Sequence, residues 1–297
     1  MNNDYMEFAE KMRRGIESVM GKEVKLHAVK KNNGVVLYGI TILTDGCNMA
    51  PTLYLEKFYE DYKNGEPIKE VACEFMREYD RACINENINI DFFKDYEQIK
   101  SLLGYKLVNA DMNVELLKEV PHKRFLNFAV VCYCDMPGEI VEKVGKGCIL
   151  IKNEHLEIWN VSAEEIIEEA IQNMQELCPA EFLNMAGILK ELYEDPNGLI
   201  ASKLPMYVLT NKERVFGAGA LLYDNQLEKV AEEIKDDFYI LPSSLHEVII
   251  LPKKFCTDIE YLVQMVHEVN EEQVDKEERL AENVYFYSRE RKELDIV

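Results

Sequence analysis

The chain reads as an α+β protein with mixed, largely antiparallel sheets and packed amphipathic helices. Two observations predict this class. Several segments repeat apolar residues at helical spacing behind capping residues. Between them lie short β-rich apolar runs bounded by Pro, Gly and Asn.

Residues 4–20 place Tyr5, Phe8, Ala9, Met12, Ile16, Val19 and Met20 on one helical face, with Gly21 as the stop. Val24, Leu26 and Ala28 then alternate, and Lys31-Asn32-Asn33-Gly34 turns the chain into Val35–Leu43. A hairpin is expected, with His27 on its solvated face. Thr52 is a fair N-cap for a helix carrying Tyr54, Phe58, Tyr59 and Tyr62 and ending near Gly65. Such an aromatic stripe packs a core more often than it holds a ligand. A helix from Pro67 shows Ile68, Val71, Ala72, Phe75, Met76, Tyr79 and Cys83 on one side, and a third spans about Phe92 to Leu103.

After Tyr105 the texture becomes strand-like. Phe125–Cys134 and Cys148–Ile151 are β-rich runs around a Pro137-Gly138 turn. Ser162-Ala163-Glu164-Glu165 is a capping box opening a helix with Ile166, Ile167, Ala170, Ile171 and Met174 inward. The glutamates at 164, 165, 168 and 169 are first-turn and solvent residues. Residues 179–193 are expected to be helical, and Glu194–Gly198 is a loop. Met206–Leu209 and Ala220–Tyr223 are expected strands, Gln226–Ile234 a helix, and Phe238–Leu241 and Val248–Leu251 strands buried on both faces. Thr257-Asp258-Ile259-Glu260 opens a further helix, and residues 284–287 form a last strand. Gly147–Glu157 and Gly219–Glu228 look alike but need a gap to align, so they are not taken as a repeat. The expected division is an N-terminal hairpin-plus-helices region, 1–104, and a C-terminal α+β region, 105–297.

With 34 basic against 55 acidic residues the net charge is −21. That field repels phosphate backbones and anionic lipid, so nucleic acid and membrane are unsuitable partners. The excess serves solubility more commonly than recognition, and a basic protein is the partner class it would suit. The N-terminus has no secretory signal and no run is long enough to span a bilayer, which implies a cytoplasmic protein. The eight cysteines lack a framework spacing and read as thiols. Cys132 and Cys134 share a strand face, but no further ligands complete a metal set.

The stretch Pro242-Ser243-Ser244-Leu245-His246-Glu247 is the strongest candidate for chemistry. An attacking Ser243 or Ser244, a His246 base and a Glu247 orienter are the right residue types, with Asn211 as a distant helper. On an extended chain, however, Ser244 and His246 share a face about 6.6 Å apart while Glu247 points away. No nucleophile elbow is present. The structural alternative is that Ser244-x-x-Glu247 acts as a capping box closing one helical turn between strands. Zinc-protease motifs fail at Ile250 and Glu271, where the second His is required. Gly217-Ala218-Gly219 has Leu222 in place of the last dinucleotide-binding glycine, and Gly145-Lys146-Gly147 lacks the rest of a phosphate loop. No cofactor or metal is expected. The carboxylates are too numerous to mark acid–base catalysis.

Two sets of blocks resemble a known family. Lys30-Lys31-Asn32-Asn33-Gly34, Pro51-Thr52-Leu53-Tyr54-Leu55-Glu56 and Tyr59-Glu60-Asp61-Tyr62-Lys63-Asn64-Gly65 look like the amino-terminal hallmark of the bacterial domain of unknown function 5688. Leu209-Thr210-Asn211, Gly217-Ala218, Leu222-Tyr223 and Phe238–Glu247 look like its carboxy-terminal hallmark. Lys152–Asn173 with the Pro-Ser-Ser block is more distantly similar to the domain of unknown function 1444. Neither resemblance implies an activity. The expectation is a non-enzymatic interaction or accessory role, with a hydrolase built on the 242–247 loop as the alternative.

Overall fold

The structure is a computed structural model that describes residues 3–44, 47–83, 87–185, 205–256 and 258–297. The fold is α+β, with antiparallel pairing throughout its described sheets. The chain forms two compact units, one from Met1–Phe92 and Met136–Gly147, the other from Phe93–Asp135 and Cys148–Val297.

In the first unit, α1 (Asn3–Met20) buries Phe8, Ala9, Met12 and Ile16. The hairpin β1 (Val24–Lys30) and β2 (Val36–Ile42) turns through Asn33, whose φ of 57° suits an Asn. A third strand, β3 (Thr52–Tyr54), pairs with β2, so Thr52 lies in a sheet and Leu55 precedes α2 (Glu56–Lys63). The Thr52 hydroxyl shares a hydrogen bond with Thr41 across the strands at 2.7 Å, which replaces the capping role expected of it. Phe58 is buried against Phe75 of α3 (Ile68–Ala82), while Tyr59 and Tyr62 pack on Phe8. The aromatic stripe is core. Pro137-Gly138, expected as a turn, instead begins a short helix (Gly138–Val144), because Pro137 sits outside the first turn where its missing N–H costs nothing.

The second unit contains both larger sheets. The expected third helix near 92–103 is broken into short turns around a helix at Tyr96–Ile99, capped by Asp95. β4 (Leu103–Asn109) follows. The Phe125–Cys134 run is not one strand but a hairpin of β5 (His122–Phe125) and β6 (Phe128–Asp135), folded at Leu126, φ 54°. With β7 (Cys148–Leu150) these strands form a four-stranded sheet. An unanticipated helix, Asn153–Trp159, precedes the helix Ala163–Leu177. In that longer helix the Ser162 and Glu165 capping box forms as expected, at 3.2 and 2.8 Å.

The six-stranded sheet runs β13-β12-β10-β11-β9-β8. Its members are β8 (Ala180–Asn184), β9 (Tyr207–Asn211), β10 (Phe238–Pro242), β11 (Val248–Pro252), β12 (Tyr285–Ser288) and β13 (Glu293–Ile296). Residues 180–184, expected to be helical, thus extend the sheet by pairing with β9, and the predicted 194–198 loop lies outside the described residues. Ala220–Tyr223 is not a strand: Gly217–Leu222 coils as a 3-10 helix, buried against β4 and β9. A Cβ on Gly219 would stand 3.0 Å from the Tyr105 ring, whose hydroxyl donates to the Gly219 carbonyl at 2.6 Å. That close approach favours a coil of small residues over a strand. Gln226–Ile234 is helical as predicted. The helix opened near residue 257 runs Ile259–Gln273, here called the sheet-covering helix. Its cap is Asp258, whose carboxylate accepts from Tyr261 N at 3.1 Å, while Thr257 lies outside the described residues. Its Leu262 and Val266 pack with Tyr239, Leu241 and Leu251 of the sheet. Among the described residues no helix is long and apolar enough to cross a membrane.

Candidate functional site

The 243–247 loop joins the two most buried strands of the six-stranded sheet, and β10 pairs with β11 up to Pro242 and Val248. It needs internal hydrogen bonds to turn so tightly, and its side chains supply them. Ser244 Oγ accepts from His246 N at 3.0 Å and donates to Glu247 Oε1 at 2.7 Å. Ser244 N donates to the Glu247 carbonyl at 3.3 Å. The partners expected from Ser244-x-x-Glu247 spacing do meet, but the shape differs from a capping box. The serine binds the amide two residues on, as an ST-turn, and no helical turn forms.

His246 points elsewhere. Its Nδ1 accepts from Phe216 N at 3.2 Å, and its ring stacks on Phe216 at 5.7 Å with 13° between planes. A nitrogen that accepts carries no proton, so the proton sits on Nε2, which faces Glu278 Oε1 at 3.5 Å. Phe216 itself adopts φ 52°, a left-handed conformation uncommon for an aromatic residue and held by this contact. Lys106 Nζ lies 4.9 Å from the Phe216 ring centre.

Backbone contacts lock the same corner. The Thr210 hydroxyl donates to the His246 carbonyl at 2.7 Å, Ala218 N to the Leu245 carbonyl at 3.2 Å, and Leu245 N to the Glu278 carbonyl at 2.9 Å. Asn211 is fully buried and braces the 211–217 loop: Nδ2 donates to the Val215 carbonyl at 2.9 Å and Oδ1 accepts from Val215 N at 3.3 Å. Its amide is committed away from the serines.

Around the loop lies an open depression of about 450 Å³ whose lining includes Arg214, Ser243, Ser244, His246, Glu247 and Glu278. The candidate residues Ser243, Ser244, His246 and Glu247 therefore share one concave surface, and Asn211 lies beneath it. A triad requires the serine hydroxyl to face the imidazole and the acid to face the far ring nitrogen. In this loop the acid holds the serine, and the imidazole is held by Phe216. Thr210, Phe216 and Glu278 were not singled out from sequence; Thr210 and Gly217 belong to the quoted family blocks, but Glu278 carries no local signal.

Elsewhere, Cys132 and Cys134 are buried in β6, and burial pushes both thiols up to about 12. The described residues contain no cluster of His, Cys, Asp and Glu able to hold a metal ion.

No curated protein and no solved structure matches the chain. A family model described as Family of unknown function (DUF5688) matches residues 5–289. With nearly the whole chain so covered, the protein belongs to the family of unknown function DUF5688.

Proposed function

We propose that this chain is a cytoplasmic bacterial protein that acts by binding another macromolecule, a basic polypeptide being the partner class, and not by hydrolysis. The observation that carries the reading is the separate engagement of Ser244 and His246: the serine hydroxyl donates to Glu247, and the acceptor nitrogen of His246 is occupied by the Phe216 amide. Activating the serine would require both bonds to break before a proton could move between them. The net charge of −21 favours a basic partner over nucleic acid, and eight unbridged cysteines suit a reducing compartment. The hydrolase alternative, on Ser243 or Ser244 with His246, keeps one supporting feature, the His246 and Glu278 pair within the depression.

A fluorophosphonate probe, run beside a known serine hydrolase, separates the two readings. No adduct on Ser243 or Ser244 is expected, while capture of partner from lysate fades as salt is raised past about 0.15 M, where screening shortens to ~8 Å. An adduct on either serine, abolished by His246→Ala in a folded protein, would overturn the binding reading.

A further inference from the structure

The three-stranded sheet of the first unit runs β1-β2-β3, so β1 (Val24–Lys30) is an edge. Which of its backbone groups face outward follows from the two bonds that bracket the ladder. Leu43 N donates to the Glu23 carbonyl at 3.0 Å and Lys31 N to the Val35 carbonyl at 2.7 Å. Because hydrogen-bonded pairs alternate along antiparallel strands, Lys25, His27 and Val29 also bond to β2, while the N–H and C=O groups of Leu26, Ala28 and Lys30 point away from it. Among the described residues nothing hydrogen-bonds to those three. Ala28 and Lys30 are exposed and Leu26 is half-buried, so the edge is open to another chain.

Charge sets this edge apart from the rest of the molecule. Between Gly21 and Leu43 stand four lysines, at 22, 25, 30 and 31, against the single acid Glu23, in a chain with 55 acidic and 34 basic residues. Only Lys25 has a carboxylate in ion-pair reach among the described residues, Glu23 at 3.6 Å, and both side chains are exposed. Lysines on an edge ordinarily deter pairing between copies of a strand. The same charges that repel a second β1 attract a strand of opposite sign.

We infer that the free edge of β1 docks an extended acidic segment of another polypeptide, which adds a fourth strand along Leu26–Lys30 with its carboxylates beside Lys25, Lys30 and Lys31. Strand addition draws affinity from the main-chain ladder and selectivity from the flanking side chains. The edge offers donors and acceptors in turn, repeating about every 6.8 Å, the two-residue period of a strand. A phosphate backbone has acceptors only and leaves the outward carbonyls unmatched, which favours polypeptide over nucleic acid. This edge is independent of the basic partner favoured by the net charge.

Fluorescence anisotropy with a dye-labelled Glu-Val-Glu-Val-Glu-Val-Glu peptide tests this. Saturable binding that fades above about 0.15 M salt is expected, with none by the Lys-Val counterpart. Methylating alternate backbone nitrogens of the peptide keeps its charge but removes its hydrogen-bonding edge, and should abolish binding. Ala28→Pro removes one outward N–H at a position where an edge tolerates proline, and is expected to weaken binding about tenfold. Lys25→Glu combined with Lys30→Glu should weaken it by a similar factor. If those variants fail to fold, the unaltered protein still decides, because hydrogen exchange at Leu26, Ala28 and Lys30 must slow when the peptide is added. No saturable binding, equal binding of the methylated or Lys-Val peptide, or unchanged exchange at those amides would overturn the proposal. So would an oligothymidylate that binds the edge more tightly than the peptide, or protection that grows with protein concentration alone, which would assign the edge to a second copy.

Discussion

The Thr210 hydroxyl reaches the backbone carbonyl of His246 at 2.7 Å, tying the end of β9 to the loop between β10 and β11. Gly217 closes over this bond. A Cβ there would stand 2.2 Å from Thr210 Oγ1, 2.5 Å from the His246 carbonyl oxygen and 2.6 Å from Asn211 N. Two of those atoms are backbone and cannot swing aside. Gly217→Ala is therefore expected to lower stability by about 1–3 kcal/mol, the usual cost of overpacking. Urea denaturation measures it; an unchanged midpoint would show that the corner is looser than described.

His155 makes stability depend on pH. Burial holds its pKa below the ordinary histidine value, against a smaller opposing pull from Glu154. Its Nδ1 accepts from Lys152 N at 3.0 Å at the start of the helix Asn153–Trp159, and its ring packs edge-on against Phe93. The folded chain therefore prefers the neutral ring. Since the unfolded chain takes up the proton first, the contribution is complete above about pH 6.5 and is lost as pH falls toward the lower folded value. Gln at this position keeps an acceptor at the helix start but does not titrate. Thermal unfolding of His155→Gln between neutral and mildly acidic pH should show a shallower decline than the unaltered chain; parallel profiles would contradict the assignment.

Thiol reactivity should separate the cysteines by burial. Cys132 and Cys134 are enclosed in β6, and their thiols are pushed up to about 12, whereas Cys73 is exposed on α3. The thiolate is the reactive form, so at mildly alkaline pH Cys73 should label promptly and the β6 pair only on unfolding. Peptide mapping after labelling with an aromatic disulfide reads this out. Prompt modification of Cys132 in the native protein would mean that the four-stranded sheet opens.

What sequence revealed, and what it hid, follows from the range of the interactions involved. Ser162 with Glu165, and Ser244 with Glu247, are three residues apart, so their pairing could be read from spacing alone. β10 and β11 announced themselves by unbroken hydrophobicity. Ala220–Tyr223 misled because its apolar residues are buried by the close approach of Tyr105, a contact from a distant strand. The β5–β6 hairpin was hidden because Leu126 takes the left-handed conformation usually signalled by Gly or Asn. At the candidate site, the same limit applied to His246. Its partners Phe216 and Glu278 lie on other loops, and only the folded chain shows why the ring turns away from Ser244.

A double-mutant cycle on Ser244→Ala and Glu247→Ala, followed by urea unfolding, tests the central claim most directly. If the serine and glutamate serve to hold the turn, their 2.7 Å bond should appear as a coupling of about 1 kcal/mol or somewhat more, as expected for a hydrogen bond to a charged group. Strictly additive losses, with stability barely changed in either single variant, would contradict a structural role for the pair and return Ser244 to the list of reactive groups.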